Sequence, residues 1–169
     1  MKKEKKPIEN LTAGILVFSD TRSEKEDISG KLIEEFLMNY KFSINHYLVI
    51  KDDPDAIVES LIKICDAGVD LLITTGGTGF SPRDNAPEAT NSVIERETPG
   101  ISEAIRANGL NQTRFSMLSR GVSGIRGKTL IVNLPGNPKA INASLEYVIE
   151  PLIHGIGLAR EDVGQHMNS

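Results

Sequence analysis

The sequence predicts an α/β protein, a three-layer α/β/α sandwich around a mostly parallel, doubly wound sheet. Apolar runs of strand length alternate with amphipathic segments of helical period through the first half of the chain, giving strand, helix, strand, helix, strand. The third run, Val69 to Thr75, is apolar almost without a break, as a strand is when helices cover both faces of its sheet. It stops abruptly in Gly76-Gly77-Thr78-Gly79, at the end of a strand where α/β proteins place their ligands.

The elements follow in order. Met1 to Asn10 opens with four lysines and is expected to be a solvated tail. Leu11 to Phe18 reads as the first strand, closed by the polar loop Ser19-Asp20-Thr21-Arg22-Ser23, and the charged stretch Glu24 to Asp27 is expected to be solvated. Leu32, Ile33, Phe36, Leu37 and Tyr40 recur at helical spacing, so Ser29 to Tyr40 is a helix with one face on the sheet. Ser43 to Ile50 alternates and carries β-branched residues, which makes it the second strand. Asp53 before Pro54 has the form of an N-cap with proline at the first helical position; the helix runs to Ala67 and Gly68 closes it.

Beyond the glycine turn, Pro87, Ala89, Val93 and Ile94 mark a short helix that Pro99-Gly100 breaks, and Ile101 to Leu110 marks another. Phe115 to Val122 is read as helix, and Gly124 to Lys128 as a tight basic turn before a strand from Thr129 to Leu134. The last helix runs from Lys139 to Ile153 on a stripe of Ile141, Leu145, Val148 and Leu152. Pro151 should kink or end it, and the residues from Leu158 are expected to fray. The implied organisation is one domain, 11–157, between tails at 1–10 and 158–169.

Composition narrows the function. A net charge of −4 argues against a general nucleic-acid binder, which needs a broad positive surface. No apolar run approaches a membrane span and no signal-like stretch follows the lysines, so a cytoplasmic location is expected. The single cysteine, Cys65, falls on the apolar face of a helix and reads as a buried hydrophobe. His46, His154 and His166 lack metal-ligand spacing, which disfavours zinc.

In a parallel sheet the loops after the four strands share one rim. That rim collects Ser19 and Asp20, Asp52 and Asp53, Thr75 to Asp84, and Pro135 to Lys139. Glycines let successive N–H groups converge on phosphate oxygens, and Thr75 and Thr78 add hydroxyls; the plainer reading is a turn that merely leaves a strand. A P-loop is excluded because no Lys-Ser/Thr follows Gly79, and G-x-G-x-x-G and G-x-S-x-G are absent. Asp53 and Asp84 each precede a helix and could serve only as caps. Beside a phosphate cradle, two such carboxylates are also what Mg²⁺-assisted phosphoryl or nucleotidyl transfer uses. Lys139 stands in the first turn of a helix, against the macrodipole, which an anion there would relieve; otherwise it points into solvent. Arg83, Arg120, Arg126 and Lys128 could add charge.

Taken together, Thr74-Thr75-Gly76-Gly77-Thr78-Gly79 with Pro82-Arg83-Asp84 and Pro87-Glu88-Ala89-Thr90, then Met117-Leu118-Ser119-Arg120, Gly124 to Ile131, and Asn133-Leu134-Pro135-Gly136-Asn137-Pro138 closely resemble the molybdenum-cofactor biosynthesis family. Within it the chain is similar to the single-domain molybdopterin adenylyltransferases and the matching domain of gephyrin, from about Leu11 to Ile156. The resemblance implies a homotrimer or hexamer that joins molybdopterin to AMP. The terminal phosphate of molybdopterin attacks the α-phosphorus of ATP, pyrophosphate leaves, Mg²⁺ assists, and a separate protein then inserts molybdate.

By motif, Asp84 and Asp53 match the family's two functional aspartates, which hold the metal and are catalytic. The family often has Val-Pro-Asp where this chain has Lys51-Asp52-Asp53-Pro54-Asp55; Asp53, three residues before Ala56, is the choice, with Asp52 and Asp55 open. Substrate binding is implied for Ser19, Asp20, Thr75, Gly76, Gly77, Thr78, Gly79, Ser119 and Arg120. Nucleotide binding is implied for Pro135, Gly136, Asn137, Pro138 and Lys139. The alternative functions on this fold are a molybdopterin carrier or scaffold without catalysis and a nucleotide-cleaving pyrophosphatase.

Overall fold

The computed structural model describes residues 8–20 and 26–166, with side chains described as far as Arg160. Met1 to Pro7 and Thr21 to Lys25, and with them the expected basic tail and most of the first loop, lie outside the described residues. The elements are β1 (Leu11–Phe18), α1 (Ile28–Asn39), β2 (Phe42–Ile50), α2 (Pro54–Asp66), β3 (Leu71–Thr75), α3 (Ala86–Val93), β4 (Arg96–Glu97), α4 (Pro99–Gly109), a 3₁₀ turn (Arg114–Leu118), β5 (Ser123–Arg126), β6 (Thr129–Leu134) and α5 (Pro138–His166). One six-stranded sheet has the order β2-β1-β3-β6-β5-β4. Its first four strands are mutually parallel, and β5 and β4 add an antiparallel edge.

Strand side chains alternate between faces, and that period builds the three layers. Ala13, Ile15 and Val17 of β1, Leu71 and Ile73 of β3, and Leu130, Val132 and Leu134 of β6 meet Ile33 and Leu37 of α1, Ile105 of α4 and the buried stripe of α5. Leu16, Phe18, Leu72 and Ile131 face the other way, onto Ile57, Leu61 and Ile64 of α2 and Ala89 and Val93 of α3. Cys65 lies in this second layer, where burial pushes its thiol up to about 11. A buried polar seam crosses the sheet: Asn133 donates to the hydroxyls of Thr74 and Thr90 and accepts from the Val122 amide. Among the described residues no helix is long and apolar enough to cross a membrane.

Several expectations need correction. Asp27 is not solvated: it is 1% exposed, caps α1 by accepting the Gly30 N–H, and accepts the Tyr47 hydroxyl at 2.5 Å. Pro99 does not break a helix but starts α4, as proline can at a first helical turn. The segment read as one helix from Phe115 to Val122 is the short 3₁₀ turn followed by extended chain entering β5. The basic turn is shorter than expected, since Ser123–Arg126 pairs as a strand and only Gly127, with φ +56°, and Lys128 make the reversal.

The last helix passes through Pro151 and continues beyond Leu158. Proline removes one hydrogen bond, but Val148, Ile149, Leu152 and Ile156 are all buried and hold the helix across it. Past that point Arg160 anchors both ends of the domain. Its guanidinium donates to both oxygens of Asp70, at 2.8 and 2.7 Å, and to the carbonyls of Glu9 and Asn10. Asp70, only 2% exposed, also takes the Thr12 amide and hydroxyl.

Candidate active site

Because β1, β2, β3 and β6 run parallel, Ser19, Asp52, Gly76 and Pro135 leave the sheet at one rim. The chain moves from β1 to β2 on one side and to β3 on the other, so Ser19 and Gly76 sit at a topological switch point. There the strands approach closely. Gly76 has φ +94°, and a Cβ on it would stand 2.8 Å from the Phe18 carbonyl oxygen. The Thr75 hydroxyl donates to the Pro135 carbonyl at 2.8 Å, fastening the β3 loop to the β6 loop. A cavity of about 200 Å³ opens beside this junction, lined by Phe18, Ser19, Asp27, Ser29, Thr75, Gly76 and Gly136.

The glycine turn is held from behind. The Gly77 carbonyl accepts the Ala86 N–H at 3.1 Å, the Thr78 carbonyl accepts the Arg120 N–H at 2.8 Å, and the Gly79 carbonyl accepts Arg120 Nε at 2.7 Å. In a trans peptide the next N–H points opposite to the carbonyl. Pinning three successive carbonyls therefore turns the amides of Thr78, Gly79 and Phe80 the other way. Among the described residues no turn or loop hydrogen bond takes up those amides. Amides so turned, without a partner among the described residues, can donate to an anion.

Two carboxylates flank the turn. A Cβ on Gly77 would lie 2.9 Å from Asp52 Oδ2, and one on Gly79 would lie 2.8 Å from Asp84 Oδ2. Asp84 Oδ2 accepts the Ser81 N–H at 3.0 Å, which fixes its rotamer. Asp20 stands close by: it accepts the Asp52 amide at 3.4 Å and pairs with Arg83 at 2.6 Å. Burial pushes the Asp52 carboxyl above its ordinary range, and the charges of Asp84 and Asp20 push the same way, against the Asn85 amide and Arg83. Asp52 Oδ1 is buried without a hydrogen-bond partner among the described residues. A cation held by Asp52 and Asp84 would relieve the repulsion between them. Among the described residues no three acidic, histidine or cysteine side chains converge as a metal cage. Two carboxylates are the number an ion such as Mg²⁺ would take, with water and phosphate completing its shell.

Asp53 is the N-cap of α2, as its place before Pro54 predicts. Its Oδ1 accepts the Ala56 N–H at 2.9 Å, so its carboxylate caps α2, while the neighbouring Asp52 turns toward the glycine turn. Asp55 lies in the first turn of α2 and is exposed. Arg120 sits behind the turn, bonded to Gly79, Asp84 and Glu88. Thr78 is 7% exposed. Gly136 packs against Gly76, where a Cβ would stand 3.5 Å from the Gly76 Cα. Asn137 Oδ1 accepts the Lys139 N–H at 2.9 Å, Pro138 begins α5, and Lys139 is exposed with no ion pair among the described residues.

A second cavity, of about 190 Å³, lies between α4, the 3₁₀ turn and α5, and reaches the rim through Ser119, Pro135 and Asn137. Arg106 lines it and donates to the Gly121 carbonyl at 2.7 Å, with no carboxylate partner among the described residues. Neither Arg106 nor Asp27 is singled out by sequence reasoning. Asp27 carried a legible signal, an aspartate directly before Ile28-Ser29-Gly30 at a helix start. Arg106 carried none, since a helical arginine is ordinarily solvated. A roomier apolar groove, about 350 Å³, lies between the start of α4 and α5 and includes none of the rim residues.

The model of a family described as a probable molybdopterin binding domain matches residues 14–155. The chain is 42% identical over 156 residues to a molybdopterin adenylyltransferase of Helicobacter pylori strain J99, covering 89% of each. It is 37% identical over 169 residues to gephyrin of Dictyostelium discoideum, covering 93% of this chain and 24% of that larger protein. The crystal structure of a molybdopterin biosynthesis enzyme from Thermus thermophilus superposes with a TM-score of 0.82 at 43% identity, covering 88% of this chain and 96% of the other.

Proposed function

The chain belongs to the molybdopterin-binding domain family, and from that premise we propose that it is a molybdopterin adenylyltransferase, forming adenylyl-molybdopterin and pyrophosphate from molybdopterin and ATP. The observation that carries the reading is the pair Asp52 and Asp84 set against a turn whose amides face away from its pinned carbonyls. Similarity over nearly the full length to a protein named for this activity supports it.

Attack of one phosphate on another needs alignment and positive charge more than acid–base chemistry. In this reading the amides of Thr78, Gly79 and Phe80 bind phosphate oxygens, and Lys139 with the start of α5 adds positive potential. Asp52 and Asp84 hold Mg²⁺, with Asp53 left as a cap. When bound, the ion neutralises charge on the phosphates. The two cavities on either side of the Pro135–Asn137 loop give each substrate its own wall, with Ser119 in one and Ser19 in the other. Assembly as a homotrimer or hexamer, a cytoplasmic location and handover to a molybdate-inserting protein complete the proposal.

The test is pyrophosphate release from purified protein with Mg²⁺ and ATP, with and without molybdopterin. Release that requires the pterin is expected. Pterin binding without ATP binding or turnover would replace the reading with a carrier, and nucleotide cleavage without pterin would replace it with a hydrolase.

A further inference from the structure

Arg120 is implied as a substrate-binding residue by the resemblance, and its guanidinium is bonded to the Gly79 and Asp84 carbonyls and the Glu88 carboxylate. Nε donates to the Gly79 carbonyl and Nη2 to the Asp84 carbonyl, each at 2.7 Å. Nη1 bonds Glu88 Oε1, Nη2 lies 3.4 Å from Glu88 Oε2, and the Arg120 amide donates to Thr78 at 2.8 Å. The pairing with Arg120 holds the Glu88 carboxyl below its usual range.

We infer that Arg120 is a positioning residue, not a substrate contact: it fixes the outward face of the glycine turn and the backbone of Asp84 as one rigid unit. The Gly79 carbonyl, which decides where the Phe80 amide points, is bonded by the Arg120 side chain, and the Thr78 carbonyl by its main-chain N–H. The same side chain bonds the carbonyl of Asp84, whose carboxylate rests against Gly79. Planar guanidinium is the one side chain that reaches three acceptors in a fixed fork, and an ammonium has no such geometry. Ser119, the preceding residue, lines the second cavity, so one dipeptide joins that cavity's wall to the brace of the phosphate turn.

The inference rests on the adenylyltransferase reading only for its kinetic consequence. The experiment compares wild type, Arg120→Lys and Glu88→Gln in two measurements. In pyrophosphate release, Arg120→Lys is expected to lower kcat about 100-fold, the scale of a misplacement near 1 Å, with KM for molybdopterin unchanged within about 2-fold. In hydrogen exchange read by mass spectrometry, the variant's hydrogen-bonded amides of this stretch, those of Ser81, Asp84 and Ala86, are expected to exchange at least 10-fold faster while β6 stays protected. Glu88→Gln keeps the three carbonyl bonds but loosens the anchor, and a several-fold fall in kcat is expected.

A raised KM for molybdopterin with kcat kept would make Arg120 a substrate contact and overturn the inference. So would wild-type exchange rates at the Ser81, Asp84 and Ala86 amides. If Arg120→Lys does not fold, Glu88→Gln decides, and unchanged kcat and exchange there overturn it. If wild type releases no pyrophosphate, the function reading fails by itself, and the exchange data alone uphold or reject the brace.

Discussion

Adjacent aspartates with different partners give a sharp test of the site, because Asp52→Asn and Asp53→Asn change the same charge one residue apart. Asp53 Oδ1 caps α2, and asparagine caps about as well as aspartate, so Asp53→Asn should stay within about 0.5 kcal/mol of wild type and keep its activity. Asp52 lies against Gly77 with a buried, unpartnered oxygen, and burial followed by repulsion from Asp84 and Asp20 raises its pKa. A carboxyl whose folded pKa is raised binds its proton more readily in the folded state. Its ionised form therefore costs stability above that pKa, and the cost disappears as pH falls through it. Asp52→Asn should gain up to about 1 kcal/mol at pH 7, a gain that fades on acidification, as expected of a residue kept for function. Its pyrophosphate release should fall about 10²–10³-fold, the scale of removing one preorganised electrostatic partner. Urea titrations at pH 7 and pH 4 and the release assay measure both. Equal loss of activity in Asp53→Asn would refute the assignment, as would destabilisation of Asp52→Asn at pH 7.

Two further outcomes rest on buried groups away from the rim. Burial alone would raise the Asp70 pKa, but the bonds from Arg160 and Thr12 and the guanidinium charge hold it below the usual carboxylate range. That stabilisation is full above the unfolded pKa near ~3.9 and is lost as pH falls through the folded value. Arg160→Leu should cost about 3 kcal/mol at pH 7 by stranding Asp70, with the gap to wild type closing toward pH 3, read from urea midpoints at equal protein concentration. A pH-independent gap would reject the clamp. Cys65, with its thiol at about 11, should react with a disulfide reagent at pH 8 only after unfolding, so rapid labelling of native protein would contradict its burial.

The parallel half of the fold was legible because each strand carries its own evidence. Ala13, Ile15 and Val17 alternate with Leu16 and Phe18, and both sets are apolar because both faces are covered. The antiparallel edge was not legible. Arg96–Glu97 is two exposed residues, and Ser123–Arg126 has no apolar period; both are strands because β6 and then β5 offer them partners. Local composition cannot report a pairing decided by a neighbour. Pro151 misled for the same reason, since a local rule about helix breaking meets an apolar stripe buried on the sheet.

At the site the sequence located the loops correctly on one rim but could not say which side chains face inward. Asp52 and Asp53 are indistinguishable by type, and the rule that identifies an N-cap removes Asp53 from the pool of free carboxylates. A carboxylate already accepting the Ala56 amide has less to give a cation, which is why Asp52 is proposed in its place. Arg120 shows the converse. A basic residue next to an anion site reads as a ligand contact, and the acceptors that point instead to a brace, the Gly79 and Asp84 carbonyls, belong to residues more than thirty positions away. An anion nest needs something to hold its carbonyls back, so a buried-facing arginine in such a site should first be matched to the turn's own oxygens, and only then to the substrate.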